Sequence, residues 1–198
     1  MKKVLECGLL VLVAGCLLSL GMDWAVLKQD IVRLHVVGAS NDPQAQEIKL
    51  QVRDAVLERM GAELAQVKDA QEAKDWIENH LGDLEDAANK VLEDAGSPDR
   101  AKAVLKKEEF PIRVYDTFSL PAGVYDSLRI TIGEGAGRNW WCVVFPSLCI
   151  PETAEEFATV AVGAGFSQDL TAALTEEYEV RFLLLDLLGR VENFFHQE

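Results

Sequence analysis

Cys142, His35 and Asn139 are the side chains of this 198-residue sequence that can be written as a thiol-hydrolase set, with a nucleophile, a base and an orienting amide. Cys142 sits inside the apolar run Trp140–Phe145, where a thiol is inert rather than activated. No spacing ties it to His35, which alternates with Leu34 and Val36 and so faces away from them. Gly133-x-Gly135-x-Gly137 follows a strand-like segment, as phosphate loops do. Asn139-Trp140-Trp141 then opens another strand, so no helix N-terminus presents amides to a phosphate. A glycine-rich hairpin with positive φ accounts for the loop. Three histidines without paired spacing give no metal site. The residues yield no catalytic set, no metal and no cofactor.

What remains is binding chemistry. Arg138-Asn139-Trp140-Trp141 places two tryptophans on opposite faces of a strand, beside an arginine. Tryptophan with arginine is the composition of a protein-binding hot spot. Glu134, Arg138, Asn139, Trp140 and Trp141 are therefore the candidate partner-binding residues. Cys142 and Cys149 are separated by Val143-Val144-Phe145-Pro146-Ser147-Leu148. A turn centred between Phe145 and Pro146 would bring them opposite each other, with a cis peptide before the proline. A disulfide and two buried thiols both remain open at this point.

The elements that must position these residues follow from periodicity. Ile31–Val37 alternates as a strand and runs into turn residues. Asn41 or Asp42 caps a helix with Pro43 just inside it. That helix carries Ile48, Val52, Val56 and Met60 at spacings of four. A second helix is predicted over 69–81, stopped by Gly82, and a third over 83–95, ended by Gly96-Ser97-Pro98. From residue 101 the period becomes two. Ala103 to Tyr115 reads as one long or bent strand, 120–125 as a connector, Ser127–Ile132 and Trp140–Phe145 as strands. Residues 151–173 read as loop with short helix. Val180, Leu184, Leu187, Val191, Phe194 and Phe195 fall on one stripe of a terminal helix. The expected fold is one α+β domain: an N-terminal strand, three helices, three mostly antiparallel strands and a C-terminal helix.

The composition narrows the partners. The formal charge is −14, divided evenly along the chain after residue 30, which excludes broad nucleic-acid binding. Met1-Lys2-Lys3 precedes an apolar run, Cys7–Leu20, of signal-peptide length. Residues 1–21 thus read as a signal peptide or N-terminal membrane anchor, and 22–198 as the domain. Ser19-Leu20-Gly21 offers a cleavage site, and Val13-Ala14-Gly15-Cys16 has lipobox form, which would lipidate Cys16. Membrane contact is expected only through this segment. An exported protein, secreted or anchored, leaves Cys142 and Cys149 in an oxidising compartment.

Three blocks resemble the stage II sporulation protein R family. The first is Val32-Arg33-Leu34-His35-Val36-Val37, with Ser40, Pro43, Gln46, Lys49-Leu50 and Val52–Leu57. The second is Phe110-Pro111, with Leu120-Pro121-Ala122-Gly123-x-Tyr125 and Leu128-Arg129. The third and most specific is Ile132-Gly133-Glu134-Gly135-x-Gly137-x-Asn139-Trp140-Trp141-Cys142-Val143-x-Phe145-Pro146-x-Leu148-Cys149. The family's Asn-Ser-Asp turn reads Ala39-Ser40-Asn41-Asp42 here, and its Pro-Pro reads Pro146-Ser147. The resemblance implies a signal rather than an enzyme. Such proteins are made in the forespore and exported into the intermembrane space between forespore and mother cell. There they trigger a membrane-embedded aspartic protease that processes the precursor of the sigma-E factor. An exported envelope hydrolase and a structural lipoprotein are the alternatives.

Overall fold

The computed structural model describes residues 2–146, 154–175 and 180–196. Its first element is a long helix, α1 (Lys2–Gln29), followed by the first strand, β1 (Val32–Val37). Three helices come next: α2 (Pro43–Leu64), α3 (Ala70–Asn79) and α4 (Leu81–Asp94). The long strand β2 (Ala101–Phe110) and a small ladder of β3 (Arg113–Val114) with β4 (Ser119–Leu120) precede β5 (Gly123–Ile132) and β6 (Asn139–Phe145). Helices α5 (Ala154–Gly163), α6 (Gln168–Thr175) and α7 (Val180–His196) close the chain. This is a mixed α+β domain, as the periodicity predicts.

The four long strands form a sheet in the order β2-β5-β1-β6. β1 runs parallel to β5 and antiparallel to β6, while β2 and β5 are antiparallel. All six β1 residues are buried, because helices cover both faces of the sheet. Val32, Leu34 and Val36 pack with α2, α3 and α4 through Val52, Val56, Met60, Ile77, Leu84, Ala88 and Leu92. The opposite face carries Phe110, Tyr125 and Val143, packed with Leu27, Phe157, Leu170, Phe182 and Leu185.

Local chemistry explains the element ends. Asp42 occupies the N-cap of α2 and Pro43 starts the helix. The Asp69 carboxylate accepts the Glu72 N–H at 2.9 Å, capping α3. Gly96, at φ +67°, ends α4 while the Ser97 N–H returns to Leu92 O at 2.9 Å. The open edge of β2 is covered from α4: Asn89 exchanges two hydrogen bonds with Ala101, and Glu85 accepts the Ala103 N–H.

Several expectations need correction. Gly82 does not stop a helix; the break falls at His80, and Gly82 lies in the first turn of α4. The bent strand over 103–115 is β2 followed by the separate β3, which folds back onto β4. Gly123–Tyr125, read as connector, already belongs to β5. The stretch read as loop with short helix carries two helices, α5 and α6, with Phe157 and Leu170 fully buried. The apolar stripe of α7 faces outward, with Leu184, Leu187, Val191, Phe194 and Phe195 exposed. Its inward face combines Phe182 and Leu185, which join the core, with polar side chains that satisfy backbone groups at the start of β5 and the end of β2. Asp186 accepts the Ala122 N–H, Glu192 accepts the Val124 N–H, and Asn193 donates to Phe110 O. Gly189 permits that approach, because a Cβ there would lie 1.6 Å from Ala122 O.

Candidate functional site

The glycine loop and the tryptophan strand sit where three elements meet. β5 and β6 are not neighbours, since β1 lies between them. The loop is therefore a crossing over the end of β1 and not a hairpin. Gly133 and Gly135 take positive φ (+56° and +66°) to make the crossing. Gly137 is needed for a different reason: a Cβ there would lie 2.3 Å from Ser40 O. Its N–H donates to Gly38 O at 2.8 Å, and the Gly38 N–H donates to Arg138 O at 3.3 Å. The loop is thus clamped to the β1–α2 turn.

One face of α2 reaches the same place. Gln46 Nε2 donates to Ser40 O at 2.7 Å, and Lys49 Nζ donates to Gln46 Oε1 and to Arg138 O. The Arg53 guanidinium stacks on Trp140, 4.4 Å from the ring centre. Burial, then the nearby Arg138 and Arg53, lower the pKa of the Lys49 ammonium from its ordinary value. Glu134, Arg138 and Asn139 are exposed at this tip, while Trp140 and Trp141 are half-buried. A chain of net charge −14 therefore gathers Lys49, Arg53 and Arg138 at one end of its sheet.

Trp140 packs on the α2–α4 core and Trp141 on the opposite core, so the strand does split the pair between faces. Trp141 stacks on His35 with ring centres 3.7 Å apart, and the Arg113 guanidinium lies 5.0 Å from the centre of the Trp141 ring. Behind it lies a buried charged cluster that the sequence reading did not assemble. Strand register puts His35 opposite Arg129 on one side and Trp141 on the other, with Arg33 opposite Ser127. The Glu108 carboxylate joins His35 Nδ1 at 3.1 Å and Arg129 Nη1 at 2.7 Å, with Lys106 at 3.2 Å. Burial pushes the Glu108 pKa upward, but the hydrogen bonds and charges of His35, Arg129 and Lys106 outweigh it. They bring it from 4.5 to about 2. Arg33 is fully buried and has no carboxylate among the described residues. It donates to the Tyr115 hydroxyl at 2.7 Å and lies over Phe110 and Tyr125 at 4.0 and 5.0 Å. Arg33 Nε and Nη1, His35 Nε2, Ser127 Oγ and Arg113 Nε are buried without a hydrogen-bond partner among the described residues. Alternation in β1 foretold that Arg33 and His35 share a face, but Glu108 lies too far along the chain for any spacing to signal it.

The thiol-hydrolase set is not assembled. Cys142 pairs with Leu34 and packs among the α2–α4 core, whereas His35 faces the other side of the sheet. Cys149 lies outside the described residues. The Phe145–Pro146 peptide is cis, the isomer that the proposed turn requires. Cys16 is exposed on α1 as a free thiol.

A family model, stage II sporulation protein R, matches residues 28–155, which takes in the sheet, the glycine loop and both tryptophans. The chain belongs to the stage II sporulation protein R family. Stage II sporulation protein R of Bacillus subtilis (strain 168) is 30% identical over 158 residues, covering 75% of this chain and 70% of that protein. No solved structure matches. The geometry gives the family blocks a physical reading. Lys49 and Arg53 of the first block hold the Arg138 carbonyl and the Trp140 ring in the third, with Gln46 holding Lys49, while His35 and Arg129 of the first and second meet under Trp141. Membership of stage II sporulation protein R places the chain in sporulation. An N-terminal apolar helix fits the signal peptide or anchor of an exported protein.

Proposed function

We propose that this chain is an exported signalling protein, not an enzyme, that activates a membrane-embedded aspartic protease across the sporulation septum. The protease then processes the precursor of the sigma-E factor. The intermembrane space between forespore and mother cell is the compartment. Contact is made by the tip of Glu134, Arg138, Asn139, Trp140 and Trp141, and no cofactor is required. The observation that carries the reading is the tip itself: an exposed Arg138 beside an Arg53–Trp140 stack, on a loop clamped by backbone hydrogen bonds. A rigid cation–aromatic surface is the composition of a protein-binding hot spot. It also lies within the residues that match stage II sporulation protein R.

Two further features belong to this reading. α1 stays attached as an anchor, which its passage through Gly21 into the fully buried Leu27 supports. Cys142 and Cys149 form a disulfide; in support, Cys7 and Cys16 are the free cysteines of the described chain and Cys142 is not among them. The test is reconstitution of the full chain with membranes carrying the protease and its precursor substrate. Wild type should trigger processing, and Arg138→Ala should abolish it with unchanged thermal stability. Full processing by Arg138→Ala and by Glu134→Ala would remove the surface assignment.

A further inference from the structure

The outward face of α7 carries Leu183, Leu184, Leu187, Leu188, Val191, Phe194 and Phe195, each between 39% and 67% exposed. Arg190 and His196 are the exposed charged or titratable side chains of the described helix, and the partly exposed Glu192 carboxylate, at the edge of the strip, is taken up by Lys28 and the Val124 N–H. A monomeric soluble surface rarely shows so continuous an apolar strip, and in a chain of charge −14 it is the more unusual. Packing does not require it, since α7 is already held by Phe182, Leu185, Gly189 and the carboxylates of Asp186 and Glu192.

Its position says what covers it. α1 contains a 23-residue stretch, Cys7–Gln29, long and apolar enough to cross a membrane, and Leu9–Val13, Leu17, Leu18 and Met22 project free of the domain. The same helix ends inside the domain at the fully buried Leu27, and Lys28 pairs with Glu192 of α7. From Gly21, still exposed, to Lys28 is about 10 Å of helix axis. Phe194 and Phe195 follow Glu192 within one turn. A bilayer that holds the outer part of α1 therefore lies within reach of the α7 face. Trp24, half-buried against Gly123 beside this junction, has the side-chain type that prefers the membrane–water interface.

We propose that α7 lies in the interface of the bilayer that α1 enters, its apolar face toward the lipid, as a second membrane contact beyond the N-terminal segment. The proposal rests on the anchor reading of α1. Two contacts fix the domain's orientation, which a single helix leaves free to rotate, and so fix which way the glycine-loop tip points.

The test uses the full chain reconstituted into vesicles of phosphatidylcholine and phosphatidylglycerol, with a photoreactive phenylalanine analogue at position 187, 195 or 90. Lys90 is exposed on α4, within the opposite layer. Lipid adducts at 187 and 195, at least tenfold above those at 90, are the expected result. Adducts to a second copy of the chain at 187 and 195 would instead make the face a dimer interface, and adducts no higher than at 90 would end the proposal. Carbonate extraction of the same samples reads α1 separately. Resistance to extraction without lipid adducts overturns the α7 contact and leaves the anchor standing. Extraction with adducts overturns the anchor and leaves α7 on the lipid.

Discussion

Glu108→Gln isolates the buried charged cluster under Trp141. Glu108 is 8% exposed and holds His35 and Arg129 at 3.1 and 2.7 Å. Its pKa falls from 4.5 in an unfolded chain to about 2 in the fold. A depressed carboxylate contributes stability that is fully present above the unfolded pKa and is lost as pH falls through the folded one. At pH 7 the 2.5-unit difference corresponds to about 3 kcal/mol. At pH 3 about 1 kcal/mol of it remains, because the unfolded carboxyl is by then protonated and the folded one still largely ionised. Glutamine keeps the shape, gives up the charge and leaves Arg129 without its close carboxylate. Urea unfolding of the full chain in mild detergent, followed by circular dichroism at pH 7, 5, 4 and 3, measures the difference directly. The variant should be weaker by about 3 kcal/mol at pH 7, and the gap should start to narrow near pH 4.5 and fall to about 1 kcal/mol at pH 3. A difference that stays constant from pH 7 to pH 3 would refute the assignment of the charge to Glu108.

Gly137→Ala forces a Cβ to within 2.3 Å of Ser40 O, backbone against side chain, so neither partner can turn away. It should destabilise the fold by at least about 2 kcal/mol in the same urea assay, and a loss under 0.5 kcal/mol would mean that the clamp is not tight. Arg53→Ala should cost about 0.5–2 kcal/mol through the lost stack on Trp140, and a double-mutant cycle with Trp140→Ala should recover that coupling. Titration of thiols in guanidinium, on full chain prepared without reductant, should find Cys7 and Cys16 alone; four reactive thiols would exclude the Cys142–Cys149 bond.

The alternation of Val32–Val37 was enough to put Leu34 and Val36 on one face and His35 on the other, because a strand's period is fixed by backbone geometry alone. The helix ends at Asp42-Pro43 and Gly96 were readable for a local reason too: proline's fixed φ suits a first turn, and glycine takes the positive φ that ends a helix. Sheet order was not readable. Nothing in Gly133–Asn139 says that β1, a hundred residues earlier, occupies the space between β5 and β6, so the loop passed for a hairpin. The direction of the α7 stripe was not readable either. Periodicity shows the stripe, but which face turns inward is set by backbone groups far along the chain: the Ala122 and Val124 N–H groups donate to the Asp186 and Glu192 carboxylates, and Phe110 O accepts from the Asn193 amide. Leu27 shows the converse, an apolar residue of the leader helix that does join the core.

The candidate contact tip and the buried cluster share one strand, and this decides how the tip should be probed. Trp141 is half exposed at the tip, yet its ring is the lid on His35 at 3.7 Å, and His35 is itself the partner of Glu108. Truncating Trp141 would admit water to a cluster in which the Glu108 carboxylate is already shared among His35, Arg129 and Lys106. The resulting loss of stability would be read as a loss of signalling. Trp140 carries the same ambiguity on the other face, through Arg53 and the α2 core. Arg138 does not: its side chain is exposed, and its structural work is done by its carbonyl, which accepts from Gly38 N–H and Lys49 Nζ. Alanine preserves that carbonyl. A signalling defect in Arg138→Ala can therefore be assigned to a lost contact, whereas the same defect in Trp141→Ala has two causes that only a stability measurement separates.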